Sequence, residues 1–167
     1  MRKILGLLAF IAGFAGTGAH AADVCPLLSN LLADPPAGFI ADRAGPADSK
    51  HWAGKPVLEN AKCRLWASSS AEAHEMRCTV NDRGAPAAVT AYYDDTAKAV
   101  DQCLAARPDA RTWERRSRTV SVEGLQSTET SWIYNDHVVR FKIVLADDRR
   151  SHDGSAYNSF DVEYLKY

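Results

Sequence analysis

Four cysteines, Cys25, Cys63, Cys78 and Cys103, constrain this chain more than any other feature. Their separations of 38, 15 and 25 residues contain no CxxC or CxxxxC pair. Zinc binding and thioredoxin-type redox chemistry both lose ground on that spacing. In an oxidising compartment an even cysteine count reads instead as two disulfides.

The compartment is read from the first 21 residues. Arg2 and Lys3 precede the apolar run Ile4–Phe14, and small residues then lead to Ala19-His20-Ala21. A charged start, a short apolar core and a small-x-small site make a signal peptide. The run is too short to cross a bilayer as a helix, which takes about 20 residues. Cys25 follows Ala22-Asp23-Val24, not the small, apolar lead-in of a bacterial lipoprotein. The expectation is a signal peptide over residues 1–21 and one periplasmic or secreted domain over 22–167, with no membrane span after cleavage. Cleavage removes two basic residues and no acid from a balance of 20 against 21, which leaves a net charge of −3. That near-neutral surface gives no reason to expect nucleic acid or an anionic membrane as partner.

Hydrophobic periodicity orders the rest. Val24, Leu27, Leu28, Leu31 and Leu32 recur as one face of a short helix that Asp23 can cap and Pro35-Pro36 ends. Residues 37–56 are rich in Gly, Pro, Ala and Asp and read as an irregular surface segment. In 61–67 the odd positions are apolar, and in 74–80 the even ones are, apart from His74. A hairpin that sets Leu65 against Met76 also sets Cys63 against Cys78, so one register gathers the apolar residues on one face and opposes the sulfurs. Cys63–Cys78 is the preferred bridge, with Cys25–Cys103 by elimination. The helix expected over 87–107 carries Cys103 on its apolar face and could instead bring it to Cys63 or Cys78, so the connectivity stays open.

Arg107-Pro108 stops that helix, and Arg111–Arg118 reads as a polar linker. Strands follow over 119–123, 126–134 and 137–146, and a further one beyond Ser155 turns Phe160, Val162 and Tyr164 one way and Asp161 and Glu163 the other. An Asn135-Asp136 turn would pair Tyr134 with His137 and Trp132 with Val139. The fold class is α+β: an antiparallel sheet made of an N-terminal hairpin and a three- to four-stranded C-terminal meander, with one long and one short helix packed on one face.

Catalytic motifs are absent. There is no GxSxG, no HExxH and no glycine-rich phosphate loop, and all four thiols look committed to bridges. No cofactor is expected. Asp147, Asp148, His152 and Asp153 cluster in what reads as one charged loop, where Arg149 and Arg150 would repel a cation. That loop, Asp147–Ser155, is the natural partner-facing element. Arg107, Arg111, Arg115, Arg116 and Arg118 form the densest basic segment. It reads as a linker with internal ion pairs; the alternative is a contact for an anionic partner. His74 and His137 fall at hairpin ends, where an exposed histidine needs no special role. Trp66 falls on the polar face of the first hairpin, opposite Glu75, where it is either covered by residues 37–56 or offered to a partner.

These features point to a noncatalytic periplasmic protein-binding module, of the inhibitor or immunity type, whose partner is another periplasmic or secreted protein. The candidate contact residues are Trp66, Asp147, Asp148, Arg149, Arg150, His152 and Asp153. Two alternatives remain: a periplasmic hydrolase of unfamiliar type built on the Asp147–Asp153 loop, and a small-ligand carrier of the cell envelope.

Overall fold

The computed structural model describes residues 24–35, 39, 43–46, 51–54, 58, 61–67, 73–108, 112–122, 125–148 and 156–167. The proposed signal peptide, the Asp23 cap and residues 149–155 lie outside them. The structure is α+β, with helices α1 (Val24–Ala33) and α2 (Pro86–Ala105). The strands are β1 (Arg43–Pro46), β2 (His51–Gly54), β3 (Lys62–Ala67), β4 (Ala73–Gly84), β5 (Glu114–Val122), β6 (Leu125–Asn135), β7 (Val139–Asp148) and β8 (Ala156–Lys166).

All eight strands join one antiparallel sheet in the order β1-β2-β3-β4-β8-β7-β6-β5. This corrects the expected hairpin plus separate meander. The two parts fuse because β8 inserts between β4 and β7, opposing Met76 to Val162 on one side and Ile143 to Val162 on the other. Two further strands come from residues 37–56. β1 and β2 are four residues each and lack apolar alternation, so only backbone pairing to β3 reveals them. Gly54 permits the approach: a Cβ there would lie 2.6 Å from Cys63 Cβ.

The first hairpin holds the expected register, with Leu65 opposite Met76 and Cys63 opposite Cys78. Both disulfides are Cys63–Cys78 and Cys25–Cys103, with Cα atoms 4.0 and 5.3 Å apart. The second hairpin is shifted by four residues from expectation, pairing Tyr134 with Phe141 and Trp132 with Ile143. A two-residue turn on Asn135-Asp136 would need positive φ at both. The chain takes a longer loop instead, with the single left-handed residue at His137, φ 69°. Asp136 Oδ1 accepts from the Val138 and Val139 amides, and Asn135 Oδ1 from that of His137. The Tyr134 hydroxyl, with the Val139 and Val138 amides, pulls the Asp136 carboxyl down to about 2.

α2 begins with Pro86, whose missing N–H would have had no helical partner anyway. It lies across β4, β7 and β8. Its buried face is Val89, Tyr92, Tyr93, Thr96, Val100 and Leu104, the expected three-and-four spacing. α1 packs on α2, burying the five expected residues, and the Cys25–Cys103 bridge ties the two helices together. Polar bonds lock helix to sheet inside this core. The Trp132 indole donates to Asp101 at 2.7 Å, Asn158 Nδ2 donates to the Val89 carbonyl at 3.0 Å, and the Tyr93 and Thr130 hydroxyls share a bond of 2.6 Å.

Candidate functional site

Alternation along a strand sends successive side chains to opposite faces. On β8, Ala156, Asn158, Phe160, Val162 and Tyr164 are buried toward the helices, whereas Tyr157, Ser159, Asp161, Glu163 and Leu165 stand on the other face, only partly covered. That second face, free of α1 and α2, carries the chemistry.

Cross-strand register reads off its rows. Ala53 on β2, Arg64 on β3, Arg77 on β4 and Asp161 on β8 stand side by side, as do Trp66, Glu75, Glu163 and Lys142. Two of these neighbours are like-charged: Arg64 directly opposes Arg77, and Glu75 directly opposes Glu163. Such oppositions destabilise a sheet. They are only partly relieved. Arg77 donates to Glu75 at 2.9 Å and to Asp161 at 3.2 Å, and Lys142 reaches Glu163 at 3.4 Å. Among the described residues no ion pair involves Arg64 or Arg140.

Asp161 sits deepest, its side chain 13% exposed. Burial raises its carboxyl to about 6 against the attraction of Arg77, and Glu75 and Glu163 push the same way as burial. Asp161 in turn holds the Arg77 guanidinium above its ordinary value, partly offset by burial.

The face is hollowed rather than flat. A cavity of about 180 Å³ lies between the Trp66 ring, Leu165 and the charged side chains of Glu75, Arg140, Lys142 and Glu163. A second, of about 400 Å³, runs over Val144 and Ala146 between Arg77, Arg118, Tyr157 and Asp161. Trp66 is half-buried, and its backbone pairs with His51 of β2, so β2 flanks it without sealing it.

The other expected contact residues are placed differently. Asp147 and Asp148 are not in a loop: β7 runs through both. Asp147 is 4% exposed and accepts from the Thr90 hydroxyl of α2 at 3.4 Å. The strand continues because Asp147 pairs with Asn158 and Asp148 with Tyr157, which supply backbone partners regardless of charge. Arg149, Arg150, His152 and Asp153 lie outside the described residues. Trp66 is thus half-buried on the helix-free face, and Asp147 is buried against α2.

The residues that join Trp66 were legible singly but not as a group. Lys62, Arg64 and Glu75 alternate with apolar neighbours, as do Asp161 and Glu163. Only the non-local pairing of β4 with β8 brings the two sets together. His74, expected at an exposed hairpin end, is instead buried between Phe39 and Tyr164, at ring distances of 5.4 and 5.9 Å. The basic segment is corrected as well. Glu114–Arg118, read as part of a linker, belongs instead to the edge strand β5, which continues to Val122 in nine consecutive pairings with β6.

Among the described residues no three His, Cys, Asp or Glu side chains group so as to hold a metal ion. No helix there is long and apolar enough to cross a membrane. Two disulfides accord with an oxidising extracellular compartment. No family model matches the chain, and no curated protein matches it.

Proposed function

We propose that this is a noncatalytic binding module of the bacterial envelope or its secreted fraction, and that it grips another protein with the helix-free face of its sheet around Trp66. One observation carries this reading. The face sets Arg64 against Arg77 and Glu75 against Glu163, leaves Arg140 outside any ion pair among the described residues, puts Glu75, Glu163 and Arg140 beside a cavity that Trp66 lines, and puts Arg64 and Arg77 beside a second hollow that Trp66 also lines. Folding alone gains nothing from opposed like charges. A partner that presents counter-charges and one apolar side chain relieves them and fills the hollow. A tryptophan wall, an apolar floor at Leu165 and a flanking arginine are the composition of an interface anchor. A cavity of 180 Å³ takes one large side chain. A rigid, disulfide-tied scaffold limits the ordering cost of binding. The role we propose for that design is of the inhibitor or immunity type, acting on an enzyme or toxin met outside the cytoplasm.

The test uses the oxidised chain over residues 22–167, immobilised beside a Trp66→Ala/Arg140→Ala variant of matched melting temperature and exposed to envelope and secreted fractions. A stoichiometric protein held by the parent and lost by the variant supports the proposal. An empty column, or a protein retained equally by both, overturns it.

A further inference from the structure

The two margins of the sheet are built differently. β1 is four residues long, with a register irregularity between Arg43 and Gly45, which is how natural sheets blunt an edge. β5, at the far margin, runs nine residues in unbroken register with β6. Every side chain from Glu114 to Thr119 is exposed, and among the described residues β5 pairs with β6 alone. Its position is also fixed from behind: Ser117 Oγ lies 2.7 Å from Thr130 Oγ1, which the Tyr93 hydroxyl of α2 holds in turn. A long, regular, rigid edge presents a row of backbone donors and acceptors on which another strand can form.

Charge selects the occupant. Glu114, Arg115, Arg116 and Arg118 give the strand a net charge of +2. Arg116 and Arg118 stand on the helix-free face and Arg115 on the other, so arginines flank the edge on both sides. Their present partners, Glu114, Glu129 and Asp101, are exposed pairs of 2.6 to 3.4 Å. Such pairs contribute little and leave guanidinium donors free to bond elsewhere. A second β5 would bring like charge against like; an acidic strand would not. The geometry points to β5 as an acceptor edge for an extended acidic segment of a partner protein, which adds to the sheet as a ninth strand and sets carboxylates against Arg116 and Arg118. This edge is separate from the Trp66 face and stands or falls independently of it.

The test titrates the oxidised chain with a nine-residue peptide of alternating Glu and Thr, and with a control in which every Glu is Gln. Amide hydrogen exchange is read along β5. The acidic peptide is expected to bind, to slow exchange at alternate β5 amides, and to bind at least about tenfold more tightly than the Gln control, the scale of one or two charge-assisted contacts. Arg116→Glu/Arg118→Glu is expected to abolish that binding and to admit a peptide of alternating Lys and Thr. No binding, equal binding of the Gln control, or protection falling away from β5 overturns the proposal. So does concentration-dependent self-association lost in the double variant, which would make a second copy the occupant.

Discussion

The two faces of the sheet are made by the same strands and obey opposite rules. On the covered face, β8 alone buries Phe160, Val162 and Tyr164, and its polar Asn158 is satisfied by a helix carbonyl. On the helix-free face the next residues along, Asp161 and Glu163, sit among like charges at incomplete ion pairs. One face is optimised for the fold. The other tolerates arrangements the fold disfavours, and local conflict of that kind marks surfaces selected for something else.

That contrast breaks if truncation costs the same on both sides. Trp132→Ala removes a ring 2% exposed and its bond to Asp101, and is expected to cost about 3–5 kcal/mol by urea denaturation. Trp66→Ala, on the other face, should cost about 1 kcal/mol or less. Equal losses would mean that Trp66 is a core residue and its hollow a packing defect.

The bridges sharpen the comparison. Cys25–Cys103 closes 78 residues and Cys63–Cys78 closes 15. Loop-closure entropy predicts losses of roughly 4–5 and 3 kcal/mol when each pair becomes alanine. Denaturation of the two paired variants checks the order. The reverse order would place the main covalent support in the sheet rather than between the helices.

A smaller effect belongs to Asp161. Its folded carboxyl titrates near 6, above the ordinary 3.8, so the folded chain holds this proton more tightly than the unfolded one. The group's contribution to stability is therefore complete below about pH 4 and lost as pH rises through about 6. Asp161→Asn should flatten that slope and leave the domain as stable at pH 7 or more so, by roughly 1–3 kcal/mol. Melting temperatures across pH 4–8 test it. A variant that is less stable at pH 7 would show that the Arg77 pair outweighs the burial of the charge.

How much of this could be read beforehand follows from which forces were local. The α2 face and the Cys63–Cys78 register rest on periodicity within one or two segments, and both stand as read. β1 and β2 carry no apolar alternation, and β5 reads as a strand only in its last part, 119–123, because their described side chains hardly enter the core. Backbone pairing to the next strand in the chain, β1 to β2, β2 to β3 and β5 to β6, makes them strands, and their own side-chain pattern does not announce it outside that last part of β5. The shift in the β6–β7 hairpin turned on a single left-handed residue, His137, which propensity alone would not select over Asn135 or Asp136. For the candidate site, Trp66 was visible as an aromatic among charges. Its opposed arginines and glutamates needed the β4–β8 pairing.

That pairing has a consequence for how the molecule comes to exist. β8 spans Ala156–Lys166 yet occupies the middle of the sheet, between β4, some 80 residues earlier, and β7. Until it arrives, two half-sheets each expose a long inner edge, open to mispairing and aggregation. The full sheet needs β8 in place, and contacts this distant in sequence form slowly. Closing the sheet therefore means drawing two halves together through β8, across a separation of some 80 residues from β4.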